Sequence, residues 1–233
     1  RAILLPPGNA GTPSGASNPF RQEKAMETQR IIRPAARMAN VRYAIRDILV
    51  EAEKVRATGM PLTLLNIGDP AAVGGFHAPD HLIEAVRKAW ADHRYEYAPS
   101  CGIAEAREAV AADYARRGMK VAPRHVILTT GLSEAIRFLL TALVDPGEEV
   151  LVPAPGYPLY QTLLGELGGI ARPYCLDEDR GWRLDPEALE RAVGPKTRAA
   201  VLVSPSNPTG HVFSEEELRQ MVDFCRRHEL LLI

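Results

Sequence analysis

Short apolar runs alternate with helical segments in this 233-residue chain, and that alternation limits the possible folds more than any other feature. The runs are His125–Thr129, Glu149–Val152, Ile170–Leu176, Ala199–Val203 and Leu230–Ile233. Strands separated by helices imply right-handed crossovers within one sheet. We therefore predict an α/β fold in which a mainly parallel sheet carries helices on both faces.

Helix boundaries are marked by proline, glycine and capping residues. The predicted helices run from Val41 to Val55, from Pro79 to Trp90, from Glu105 to Arg117, from Leu132 to Val144, from Tyr157 to near Gly168, from Asp185 onward and from Ser214 to His228. Asp185-Pro186 is a typical helix start, and Ser214 with Glu217 forms a capping box. Leu62–Ile67 is predicted to be a short strand.

Bulk composition narrows the class of ligand. A net charge of −1 gives no electrostatic reason to expect nucleic acid or an anionic membrane surface as a partner. The three cysteines are widely separated, the histidines lack metal-ligand spacing, and no apolar run reaches the length of a membrane span. We expect a cytoplasmic protein that binds a small molecule and no metal.

Two loops stand where parallel strands end. Ser204–Gly210 follows the apolar run Ala199–Val203, and open α/β sheets bind ligands at such carboxyl ends. Thr129–Ser133 has the anatomy of a phosphate site, with a strand, a glycine turn and then a helix start whose free N–H groups attract anions. Many such turns bind nothing, so this one alone does not define a site.

Several loops, taken together in their order, resemble those of the class I/II aminotransferases, which are fold-type I enzymes that use pyridoxal phosphate. They are Asn66–Pro70, Tyr97–Gly102, Thr130–Ala135, Pro153–Tyr160 and Asn207–Gly210. The resemblance runs from Val41 to the last residue and is greatest to bacterial alanine (glutamate–pyruvate) aminotransferases. It implies an enzyme that moves an amino group between an amino acid and a 2-oxo acid.

The resemblance also implies a domain organisation. Residues 1–40, rich in Pro, Gly and Ser, are predicted to be a flexible leader and linker. Residues 41–75 would form the N-terminal arm and helix of the small-domain region. Residues 76–233 would be the N-terminal part of the large, cofactor-binding domain, truncated before its end.

Four residues on three loops match residues that hold the cofactor in that family. Leu132 and Ser133 would bind the phosphate, Tyr157 would stack on the pyridine ring, and Asn207 would donate to the phenolic oxygen and also reach the substrate. Each also has a simpler interpretation. Ser133 could merely cap its helix, Tyr157 could merely pack against its neighbours, and Asn207 could merely stabilise its own loop. The family often has a cis bond at the position of Asn207-Pro208.

Two further positions match residues outside the cofactor loops. Tyr97 resembles a tyrosine that reaches the phosphate of a neighbouring subunit, which implies a homodimer with shared active sites. Gly68 matches a position where backbone approaches the substrate carboxylate, as only a residue without a side chain permits.

The lysine that the family links covalently to the cofactor would lie beyond Ile233. The lysines present are not placed at the predicted carboxyl edge; they are Lys24, Lys54, Lys88, Lys120 and Lys196. We therefore expect this chain to be an inactive fragment with no catalytic residue of its own. Other fold-type I chemistry, such as a C–S lyase or decarboxylase, and a non-catalytic ligand sensor remain alternatives, and the amino donor is not fixed.

Overall fold

The computed structural model of the chain describes residues 34–41, 44–63, 68–69, 71 and 75–233. Residues Ala35–Ile233 belong to one compact unit. The predicted leader lies almost wholly outside the described residues. The proposed division at residues 41–75 and 76–233 stays a prediction.

The helices follow the predicted boundaries within a few residues. In chain order they are α1 (Ala44–Ala57), α2 (Asp80–Ala91), α3 (Ala104–Arg116), α4 (Gly131–Leu143), α5 (Leu159–Leu167), α6 (Pro186–Ala192) and α7 (Glu215–Arg227), with 3₁₀ helices at Ala36–Asn40 and Pro123–His125. The capping residues account for the agreement. The Asp185 side chain accepts from Glu187 N at the start of α6, and Ser214 forms the predicted capping box with Glu217 at the start of α7.

The strands form one parallel sheet. They are β1 (Glu149–Ala154), β2 (Ile170–Cys175), β3 (Thr197–Ala200) and β4 (Leu231–Leu232), in the order β2-β1-β3-β4. Glu149 of β1 pairs with Ile170 of β2, and Leu151 pairs with Ala200 of β3. The predicted α/β fold with a parallel sheet is confirmed.

Alternate residues of the central strands face two different apolar layers. On one face Val150, Val152 and Val201 pack with Leu140 of α4 and Leu164 of α5. On the other face the packed residues are Leu151, Tyr174, Leu176, Ala200, Met221 and Phe224, the last two from α7. Because both faces are covered, the strands read as continuous apolar runs in the sequence.

The segment predicted as a strand at His125–Thr129 is not one in the structure. His125 ends a 3₁₀ helix, Val126 is extended, and residues 126–129 have no regular secondary structure and pair with no described strand. Leu128 N donates only to Cys101 O, at 3.1 Å. An apolar run indicates that a segment can adopt an extended backbone. A β-strand also needs a neighbouring strand with which to form hydrogen bonds. The strand prediction is therefore wrong for the part of the chain that the structure describes.

The other predicted strand before the sheet, Leu62–Ile67, is mostly outside the described residues. Its described part, Leu62 and Thr63, is not in a strand. Among the helices that the structure describes, none is both long and apolar enough to cross a bilayer.

Candidate functional site

The candidate site lies at the carboxyl edge of the sheet. Strands β1 and β3 are neighbours and run in the same direction, so the loops that follow them leave from the same edge. Helix α4 ends at Leu143, just before β1 begins at Glu149, and packs along β1 through Ile136 and Leu140. Because α4 ends beside the amino end of β1, its own start faces the carboxyl edge.

The turn before α4 leaves backbone donors free. Gly131 has a φ of +75°, a conformation that glycine adopts at little cost. The Thr129 hydroxyl donates to Gly131 O at 3.0 Å, and Thr130 N donates to the Glu134 carboxylate at 2.6 Å. No described residue accepts a hydrogen bond from the amides of Leu132 and Ser133, which are in the first turn of the helix. Those two amides and the exposed Ser133 hydroxyl can therefore bind an anion.

Ser133 is not the cap of this helix. The cap position is Thr130, and its side chain makes no capping hydrogen bond. The simpler reading of Ser133 as a capping residue therefore does not apply. The negative charge of Glu134 opposes anion binding at this turn, although its carboxylate is already engaged by Thr130 N.

Tyr157 lies directly after a tight turn that ends β1. A side chain at Gly156 would place its Cβ 2.2 Å from Pro153 O, so the turn admits only glycine there. Tyr157 is partly buried against the α4–α5 layer, and its ring meets Tyr160 edge-on with centroids 6.4 Å apart. Burial, followed by the proximity of Tyr157, raises the pKa of the Tyr160 hydroxyl, which keeps that group neutral. Tyr160 therefore packs against the ring of Tyr157 in a T-shaped arrangement.

The loop after β3 holds itself together without the side chain of Asn207. Ser206 N donates to His211 O and Gly210 N to Ser206 O, both at 2.8 Å. The Asn207 side chain is exposed and makes no hydrogen bond with a described residue. This arrangement does not match the reading in which Asn207 stabilises its own loop. The Asn207-Pro208 peptide bond is cis, as the resemblance suggested.

A buried carboxylate pins this loop to α7. Glu217 Oε1 is 3.2 Å from His211 Nε2 and also accepts from Leu184 N at 3.0 Å. Its other oxygen accepts from the backbone amide and the hydroxyl of Ser214, each at 2.8 Å. The loop that carries Asn207 is therefore tied to the helix behind the sheet.

Tyr97 and Gly68 are not brought to these loops by any described contact. The Tyr97 side chain is fully exposed, and a Cβ at Gly68 would meet no atom within 4 Å. The sheet topology places the loops of four predicted site residues at one edge, namely Leu132, Ser133, Tyr157 and Asn207. Their convergence on one cavity stays a prediction.

Three features near these loops escaped the sequence reasoning. Arg137 of α4 forms a bidentate ion pair with Glu166 of α5, with N–O distances of 2.7 and 2.8 Å. The Tyr174 hydroxyl donates to Val201 O across the sheet, and Glu217 holds the β3 loop. The capping-box spacing predicts Glu217 as a capping residue but not its contact with the β3 loop, and no local pattern signals the other two pairs.

A helix start with free amides, an aromatic ring and an amide side chain, on segments that begin at the carboxyl edge of a parallel α/β sheet, would suit a phosphorylated, flat, polar ligand. The family model described as "Aminotransferase class I and II" matches residues 61–233. The chain belongs to this family.

Individual relatives agree with that assignment. The chain is 39% identical over 212 residues to the alanine aminotransferase of Mycobacterium tuberculosis, covering 89% of this chain and 48% of that protein. It is 36% identical over 204 residues to the glutamate-pyruvate aminotransferase AlaA of Escherichia coli, covering 86% and 50%. The solved structure of an alanine aminotransferase from Pyrococcus furiosus superposes with a TM-score of 0.80 at 32% identity, covering 86% of this chain and 51% of that one. The chain thus spans about half the length of the curated relatives it matches.

Proposed function

We propose that the protein containing this chain is a pyridoxal phosphate-dependent aminotransferase that moves an amino group between alanine or glutamate and a 2-oxo acid. The observation that carries the proposal is the set of unsatisfied donors at the carboxyl edge. The amides of Leu132 and Ser133 and the side chain of Asn207 make no hydrogen bond with a described residue. Family membership and the relatives' names support the choice of reaction.

The donors and the ring at this edge fit the chemistry of pyridoxal phosphate. The start of α4 suits the phosphate, because its dipole and free amides favour a dianion. The ring of Tyr157, backed by Tyr160, offers a flat face for the pyridine ring. The Asn207 amide would donate to the phenolic oxygen and stabilise its negative charge. When bound, the cofactor withdraws electrons from the substrate carbon.

The partner proposals follow the resemblance. Tyr97, fully exposed on one protomer, would reach the phosphate bound by a second protomer, so that two active sites are shared in a homodimer. Gly68 would let backbone approach the substrate carboxylate. We also propose a cytoplasmic location.

Cofactor binding can be tested directly. We expect the chain to bind pyridoxal phosphate, and Ser133→Ala to weaken binding about tenfold, because a hydrogen bond to a charged group is lost. Equilibrium dialysis measures the affinity. Thr141→Ala, an exposed hydroxyl near the end of the same helix, is the matched control. Equal affinity of Ser133→Ala and Thr141→Ala would contradict the assignment of the phosphate to this turn.

The reaction is tested on the longest gene product that contains these residues. We expect pyruvate to form from alanine only when 2-oxoglutarate is added, since amino transfer needs an acceptor. A C–S lyase or decarboxylase would need no acceptor, and a sensor would turn over neither substrate. Replacing alanine by aspartate tests the choice of donor.

The lysines of the chain make a separate prediction. Lys54 pairs with Glu51 on α1, and Lys88 pairs with Asp92 at the end of α2. Lys120 and Lys196 lie outside the loops that carry Ser133, Tyr157 and Asn207. Lys24 lies outside the described residues. We expect the 233-residue chain to bind the cofactor without a covalent link and to show no transaminase activity. Borohydride treatment followed by peptide mass mapping should find no modified lysine at stoichiometric yield.

A further inference from the structure

We propose that Tyr174 is a positioning residue for Asn207, because its hydroxyl replaces a backbone donor that Pro153 cannot supply. This inference rests on the proposed function only where the cofactor is concerned. The structural part of the proposal, that the Tyr174 hydroxyl holds the end of β3 in place, can be measured without any ligand.

The missing donor follows from the register of the sheet. Val201 N donates to Leu151 O at 2.9 Å, so a parallel ladder would next bring the amide of residue 153 to Val201 O. Residue 153 is a proline, which has no N–H. On its other side β3 bonds to the last strand through Ala200 O and Leu202 N, which leaves Val201 O facing β1.

Tyr174 supplies the donor from two strands away. It pairs with Pro153 in the β1–β2 register, and its hydroxyl donates to Val201 O at 2.7 Å. Both Tyr174 and Val201 are fully buried, so no water is positioned to replace the bond. Burial raises the pKa of the Tyr174 hydroxyl, which keeps it protonated and able to donate near neutral pH.

The bond lies close to the loop that carries Asn207. Val201 is the first residue after β3, and the loop begins at Ser204. Without the hydroxyl, a buried carbonyl would lack a partner, and an unsatisfied buried carbonyl favours conformations that reach water. The end of β3 would then detach locally and carry the Asn207 amide away from its place.

Hydrogen exchange on the ligand-free chain tests the structural part. Tyr174→Phe should accelerate exchange of the bonded loop amides Ser206 and Gly210 about tenfold beyond any change at the amino-edge amides Gly169 and Ile170. Tyr114→Phe, a hydroxyl loss on α3, should change neither set. Uniform acceleration of all four amides, or none, would overturn the proposal, since a merely structural role predicts one of those results.

A second variant, which restores the backbone donor at residue 153, provides the decisive test of this role of Tyr174. In Pro153→Ala/Tyr174→Phe the new amide can donate to Val201 O, so exchange at Ser206 and Gly210 should return to within about twofold of wild type. If the double variant exchanges as fast as Tyr174→Phe, the proposal is wrong. Chemical shifts of the unaffected α3 amides report whether the double variant is folded.

Cofactor binding tests the link to Asn207. Tyr174→Phe should weaken pyridoxal phosphate binding about threefold to tenfold and shift the absorbance of the bound cofactor in the same direction as Asn207→Ala. In an Asn207→Ala background, Tyr174→Phe should add nothing to either change. An additional loss in that background would overturn the link. Failure of the wild-type chain to bind the cofactor would instead refute the assignment of these loops to the cofactor and leave the exchange result standing.

Discussion

The carboxylate of Glu217 is buried at the start of α7 and accepts hydrogen bonds from three segments of the chain. Burial alone would raise its pKa. Donors from Ser214, Leu184 and His211 outweigh burial and lower the pKa of Glu217 from 4.5 to about 2. A group whose pKa is depressed by folding stabilises the fold above its unfolded pKa, and this stabilisation is lost as the pH falls toward the folded value.

We therefore expect acid to remove a specific part of the stability. Between pH 6 and pH 3 the free energy of unfolding should fall by about 2 kcal/mol more in the wild-type chain than in Glu217→Gln, which has no charge to titrate at this position. Urea unfolding at a series of pH values measures the difference. Glu216 is the exposed neighbour of Glu217 and serves as the control, so Glu216→Gln should keep the wild-type pH dependence. Parallel pH profiles for the wild type and Glu217→Gln would contradict the assigned pKa.

At the scale of elements, the 3₁₀ helix Ala36–Asn40 packs on α5 through a glycine. A Cβ at Gly165 would lie 2.7 Å from Asn40 O, so the two segments approach too closely for any side chain. Arg37 also lies near Glu166 and contributes, after Arg137, to the lowered pKa of that carboxylate. The close contact with Asn40 therefore requires glycine at position 165, inside helix α5.

Gly165→Ala should have opposite effects on two versions of the chain. In the full chain the clash should destabilise the fold by about 1 kcal/mol net, since overpacking costs about 1–3 kcal/mol and the gain in helix propensity offsets about 1. In a chain that starts at Val41 the clash is absent, and the same substitution should stabilise by up to about 1 kcal/mol. Urea unfolding measures both. The same sign in both chains would show that Asn40 does not set the requirement for glycine.

Local and distant interactions explain which elements the sequence predicts. The starts of helices α6 and α7 are predicted to within a residue, because Asp185-Pro186 and Ser214 with Glu217 act within a single turn. The predicted strand His125–Thr129 is wrong, because pairing depends on a second strand that the segment itself does not encode. The bonds from Tyr174 to Val201 and from Arg137 to Glu166 span 27 and 29 residues, and only the fold reveals them. The candidate site residues are predictions from the resemblance of their loops to those of the family.

At the scale of the whole molecule, apolar residues are distributed unevenly. The core lies around the sheet, whereas α2 has no buried residue and exposes one apolar face. Leu82 and Val86 are 50% and 62% exposed on this helix. Exposed apolar patches of this kind promote association.

We expect the isolated 233-residue chain to self-associate in a concentration-dependent way. Leu82→Gln/Val86→Gln should reduce association and the fluorescence of the apolar dye ANS, and it should leave the free energy of unfolding nearly unchanged because neither side chain is in the core. Light scattering after size exclusion and urea unfolding test the two halves. Leu140→Gln, in the core, should instead unfold the chain. If Leu82→Gln/Val86→Gln associates as strongly as the wild type, the surface that drives association lies elsewhere.

The Arg137–Glu166 ion pair has a mechanical consequence. Helices α4 and α5 begin at the turns that carry Ser133 and Tyr157, and the two guanidinium–carboxylate bonds couple them partway along their lengths. A rotation of either helix about its axis would strain these two bonds, so the ion pair couples the two turns. A free phosphate ion bound at the first turn would then restrain the second turn without touching the Tyr157 ring.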